Sequence, residues 1–108
     1  MTGREKFISP EPAPEGLERE LLTILAEECC EIGQRVTKAL RFGVREIQPG
    51  QSLTNDERIA EEVGDLLAVL VRLQEMGLLS NETITDSFES KQKKLGRYLQ
   101  NSGEEAVR

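Results

Sequence analysis

Two pairs of carboxylates stand three residues apart in this chain, Glu28-x-x-Glu31 and Glu62-x-x-Asp65. Residues three apart on a helix lie side by side, so two such pairs on facing helices can bring four carboxylates to one point. Left bare, that cluster repels itself. A divalent cation removes the repulsion, and its spare coordination positions invite phosphate oxygens. The chain has no histidine, which removes His-dependent catalytic triads, His zinc sites and the Glu-x-x-His pattern of di-iron bundles. A donor set made only of oxygen favours Mg2+ or Mn2+ over zinc or iron.

Glu-rich helices produce such spacings often, and Glu27, Glu57, Glu61 and Glu75 read as solvated examples. Position separates the two pairs from these. With Ile59 as zero and about 100° per residue, Glu62 falls near 300°, between Val69 and Leu73, inside an apolar arc, and Asp65 lies at the arc's edge. With Leu21 as zero, Glu28 falls near 340°, between Ile24 and Ile32, and Glu31 lies at the edge of that stripe near 280°. An unpaired ionised carboxylate in such a place costs several kcal/mol, so it needs a cation, a proton or a hydrogen-bonding partner.

The elements that must position these groups are helices. Leu17, Leu21, Ile24, Leu25, Ile32, Val36, Ala39 and Leu40 recur at three and four, which predicts an amphipathic helix from Leu17 to about Phe42, stopped at Gly43. Gln48-Pro49-Gly50-Gln51-Ser52 marks a turn-rich connection of the length of a loop near a site. Thr54-Asn55-Asp56-Glu57 matches the capping box at the start of a second helix, which runs to about Met76 and ends at Gly77. Ser80 or Asn81 caps a third, from about Glu82 to Gln100. Before them, residues 1–16 carry Ser9-Pro10-Glu11-Pro12-Ala13-Pro14, read as an extended arm. The tail, 101–108, is expected to fray.

The expected fold is therefore all-α, an antiparallel bundle of about three long helices in one domain, residues 17–100. The second helix carries an apolar arc of about 200°, wider than the stripe of about 100° that a surface helix needs. Two other helices barely cover it, so homo-oligomerisation is expected to complete the bundle. Val71 and Leu67, on the side of the arc away from Glu62, are the expected seam.

Composition narrows the class further. The formal charge of −6 and the pI near 4.8 argue against broad sequence-independent nucleic-acid binding. No apolar run approaches the roughly 20 residues that span a bilayer, and Met1-Thr2-Gly3-Arg4-Glu5-Lys6 is not followed by the apolar core of a signal peptide. The expected compartment is the cytoplasm, with no membrane partner. Cys29 and Cys30 are adjacent on a predicted helix, where their side chains diverge by about 100° and do not bridge. Cys29 is expected to face the core as a small apolar residue.

The two acidic pairs, the helix-loop-helix between them, the phrase Glu61-Glu62-Val63-Gly64-Asp65-Leu66-Leu67 and the basic third helix resemble the MazG-like, all-α nucleoside triphosphate pyrophosphohydrolases. The resemblance covers roughly residues 17–100, and the spacer, residues 32–61, is at or slightly above the long end for the family, a departure that bears on the loop geometry. It implies that Glu28, Glu31, Glu62 and Asp65 bind Mg2+, with Mn2+ as a substitute, and that Glu27 and Glu61 assist. The reaction implied is hydrolysis of a nucleoside triphosphate to the monophosphate and pyrophosphate, with Glu31 or Glu27 as the candidate general base. Lys91, Lys94 and Arg97 would hold the triphosphate, as would Lys38 and Arg41 near the end of the first helix. Tyr98 and Phe42 are candidates either to stack on a base or to join the core. The resemblance also implies a homodimer or homotetramer with shared pockets. Related proteins act on phosphoribosyl-ATP or dUTP, and the competing expectation from another class is a non-catalytic helical oligomer serving as an interaction module.

Overall fold

The computed structural model describes residue 6 and residues 8–100. Three helices form, α1 Gly16–Phe42, α2 Asn55–Glu75 and α3 Asn81–Tyr98, and no strand is present among the described residues. The expected all-helical architecture is observed, with boundaries shifted by one or two residues. Residues 8–15 form neither helix nor strand. The expected tail at 101–108 and residues 1–5 and 7 of the expected arm lie outside the described residues. The chain divides into two compact units, Met1–Val69 and Leu70–Arg108.

In the first unit, α1 ends where Gly43 adopts φ 108°, a conformation closed to most side chains, and donates its N–H to the Ala39 carbonyl at 2.9 Å. The connection that follows is tied at both ends. An isolated antiparallel bridge joins Ile47 to Thr54, and the Gln51 N–H closes a turn on the Gln48 carbonyl. The capping box forms as the sequence predicts. The Thr54 N–H donates to Glu57 Oε1 at 2.8 Å, and the Glu57 N–H donates to Thr54 Oγ1 at 3.4 Å.

Asn55 locks this root. It is 1% exposed, and its side-chain amide donates to the Gly43 carbonyl at 2.9 Å and to Glu46 Oε1 at 3.1 Å. Its backbone N–H donates to the Glu46 carbonyl, and that of Asp56 to the Val44 carbonyl. The start of α2 is therefore held against the end of α1. From there the helices run antiparallel, because Arg35 meets Glu62 and Glu28 meets Asp65 further along.

In the second unit, the end of α2 folds over on Gly77, φ 79°. The Leu73 carbonyl accepts the N–H groups of Leu78 and Leu79, and the Gln74 carbonyl that of Gly77, a closure of the Schellman kind. Leu73 is fully buried. Ser80 caps α3 by accepting the Thr83 N–H at 3.1 Å, and the Gln74 side chain donates to Asn81 Oδ1. No residue of α3 is buried.

Exposure divides the wide arc of α2 cleanly. Ile59, Leu66, Val69 and Leu70 are half-buried and Leu73 buried, whereas Val63, Leu67 and Val71, at about 40° to 120° in the same frame, are exposed. Ala39 and Leu73 are the buried hydrophobic residues among those described. Cys29 corrects an expectation. It is exposed, as is Cys30, because its position about 80° round from Leu21 lies on the flank of the α1 stripe rather than under it.

Candidate metal centre

The antiparallel α1–α2 packing brings Glu28 from α1 together with Glu62 and Asp65 from α2. One carboxylate oxygen from each lies within 4.8 Å of the others. Glu28 and Glu62 are half-buried and Asp65 is exposed. The local reason is the three-residue spacing on α2, which stacks Glu62 and Asp65 on one side, opposite a stripe on α1 whose centre is Glu28.

Glu28 is the most constrained of them. Its Oε2 is buried with no hydrogen-bond partner. Its pKa is raised, first by desolvation and then by the neighbouring charges of Glu31, Asp65, Glu62 and Glu27. A buried carboxylate oxygen without a donor, inside a group of like charges, would be stabilised by a cation or by a proton.

Arg35 supplies the positive charge that the protein itself offers. Its Nε lies 3.5 Å from Glu62 Oε2, and the two side chains are 25% and 13% exposed. The sequence reading did not single Arg35 out. The signal was there: on the α1 wheel Arg35 falls near 320°, between Ile24 and Glu28, a charge inside the apolar stripe as conspicuous as Glu28 itself.

Glu31 is half-buried, one turn from Glu28, and close enough for its charge to raise the Glu28 pKa. Its oxygens are not among the group within 4.8 Å. Glu27 is exposed and lines, with Ala26, Cys30 and Glu31, a shallow surface recess. Near the end of α1, Lys38 Nζ and Arg41 Cζ lie 5.9 and 5.2 Å from the Phe42 ring centre, a cation–aromatic cluster. In the second unit, Lys91, Lys94, Arg97 and Tyr98 are all exposed on α3, with the Arg97 guanidinium 5.6 Å from the Tyr98 ring centre.

Among the described residues the chain is all-helical and carries a group of three carboxylates that could hold a metal ion. A family model for the MazG nucleotide pyrophosphohydrolase domain matches residues 17–98, and the chain belongs to that family. No curated protein and no solved structure matches it significantly. Among the described residues, no helix is long and apolar enough to cross a membrane.

Proposed function

We propose that this chain is a divalent-cation-dependent nucleoside triphosphate pyrophosphohydrolase that releases a nucleoside monophosphate and pyrophosphate. The observation that carries the proposal is the buried, partnerless Glu28 Oε2 among the converging oxygens of Glu62 and Asp65. These residues suit Mg2+ or Mn2+: every donor is oxygen, the charges repel, and one donor atom lacks any other partner. Glu28, Glu62 and Asp65 would hold the ion, with Glu31 completing the set. When bound, the cation neutralises substrate phosphates and favours ionisation of a nearby water.

The chain's own residues would do the rest. Glu31 or Glu27 accepts the proton of the water that attacks the α-phosphorus, and the bond from that phosphorus to the bridging oxygen breaks. Lys91, Lys94 and Arg97 balance charge on the departing pyrophosphate, Lys38 and Arg41 contact phosphates, and Tyr98 packs on the nucleoside. The role is removal of surplus or noncanonical nucleotides in the cytoplasm.

The working form is a homodimer or homotetramer. Support comes from how few apolar side chains are buried, Ala39 in the first unit and Leu73 in the second among the described residues, while Leu67, Val71 and Phe88 are exposed. Covering those exposed side chains in an assembly would add apolar burial against the conformational entropy of ordering three helices.

Incubation with a panel of nucleoside triphosphates, including dUTP, and phosphoribosyl-ATP in the presence of Mg2+ tests the activity. Pyrophosphate release from at least one is expected. A folded protein that turns over none of them would be an interaction module instead.

A further inference from the structure

Arg35 is poorly explained as a structural residue. Its Nε–Glu62 distance of 3.5 Å is that of an ion pair rather than a close hydrogen bond, and among the described residues no hydrogen bond engages its guanidinium. A quarter of its side chain is exposed. The guanidinium thus stands beside the carboxylate group with donors to spare, and its fork geometry matches phosphate oxygens as well as carboxylate ones.

We infer that Arg35 is the site's exchangeable counter-ion, pairing with Glu62 in the cation-free protein and with a substrate phosphate once a divalent ion has taken Glu62. The inference deepens the function proposed above and rests on its cation-and-phosphate chemistry. A divalent ion held by Glu28, Glu62 and Asp65 competes with Arg35 for the charge of the Glu62 carboxylate and sits beside a like charge. A polyphosphate relieves that conflict by accepting the freed guanidinium. Arg35 therefore opposes cation binding alone and favours binding of cation and polyphosphate together, a coupling between two ligands at adjoining positions.

The test needs no catalysis. Calorimetry would follow binding of Mn2+ alone, and then of tripolyphosphate, which carries the phosphates without a nucleoside, at saturating Mn2+. Arg35→Gln is expected to bind Mn2+ alone more tightly than wild type, by about three- to tenfold for loss of one unit charge beside a hydrated site, and to bind tripolyphosphate about tenfold more weakly. Arg35→Lys, which keeps the charge but not the fork, should match wild type for Mn2+ and still lose affinity for tripolyphosphate. A purely structural role would weaken Mn2+ binding in Arg35→Gln, and that result overturns the inference, as does unchanged tripolyphosphate affinity in both variants. If Arg35→Gln fails to fold by circular dichroism, the Lys variant decides on tripolyphosphate affinity alone. Wild type that binds Mn2+ but turns over no nucleotide sinks the enzymatic proposal and leaves these affinities to judge Arg35. Wild type that binds no Mn2+ overturns both.

Discussion

The side-chain amide of Asn55 donates to the Gly43 carbonyl oxygen at 2.9 Å, joining the first residue of α2 to the cap of α1. The same amide reaches Glu46, so one buried side chain sets where α2 begins its antiparallel run along α1. The register of Glu62 and Asp65 against Glu28 descends from that junction.

Asn55→Ala should therefore destabilise the fold by about 1–3 kcal/mol, for the loss of two hydrogen bonds made by a buried side chain, one of them to a carboxylate. Urea denaturation followed by circular dichroism gives the figure. Affinity for Mn2+ should fall with it, since the carboxylates lose their alignment. A variant as stable as wild type would show that the apolar contacts of α1 and α2 hold the register unaided.

Acid sensitivity should originate at the start of α2. Asp56 is held below its ordinary 3.8 chiefly by the Thr54 hydrogen bond, with Arg45 adding to it, and Glu57 below its ordinary 4.5 by the Thr54 backbone and hydroxyl. Both carboxylates are more acidic folded than unfolded, so they contribute stability above those ordinary values and lose it as pH falls through the depressed folded ones. Thr54→Val removes the hydroxyl and should cost about 1 kcal/mol at neutral pH, with a flatter fall in melting temperature below about pH 4.5. Thermal melts from neutral pH to pH 3 would show it. A melting curve that steepens on acidification in the variant would rule out this origin.

The carboxylate cluster should trade stability against cation binding. Glu28 has a raised pKa, so its charged form opposes folding: the stability is present while the group is protonated and is lost as pH rises through the folded value. At neutral pH and without divalent ions, Glu28→Gln and Asp65→Asn should melt at or above the wild-type temperature. Glu62→Gln should gain less, because it leaves Arg35 without its partner. Mg2+ or Mn2+ should raise the wild-type melting temperature and none of these three, and all three should lose turnover. Melts with and without the ion, alongside pyrophosphate assays, separate these outcomes. Collapse of helicity in Asp65→Asn would reveal a structural carboxylate instead.

Val71→Glu should split the proposed oligomer. Val71 is 49% exposed on the uncovered flank of α2, and a carboxylate there would be buried against its symmetry mate if that flank is the seam. Light scattering at micromolar concentration should find wild type as a dimer or tetramer and the variant smaller, with activity lost though no ligand residue has changed. A wild-type monomer refutes the oligomer, and an intact, active variant moves the seam to another face.

Helix ends were legible because their signals are local. Gly43 and Gly77 stop α1 and α2 through positive φ, Thr54 and Glu57 close a capping box, and Ser80 caps α3, all within a few residues of the chain. The two acidic pairs were legible for the same reason, since three-residue spacing on a helix needs no partner to be recognised.

What converges across helices was decided by tertiary structure. The helical wheel puts Glu28 inside the α1 stripe and Glu31 at its edge, but only the packing of α1 against α2 brings Glu28 into the group with Glu62 and Asp65 while Glu31 acts on it through charge. Arg35 as the partner of Glu62, and Asn55 as the bolt between Gly43 and Glu46, depend on the same rotation and register. Cys29 was misplaced because periodicity assigns a residue to a face without stating how far round that face a neighbour extends. A pattern along one helix specifies which side chains share a side; only the packing of a second helix determines which of their atoms meet.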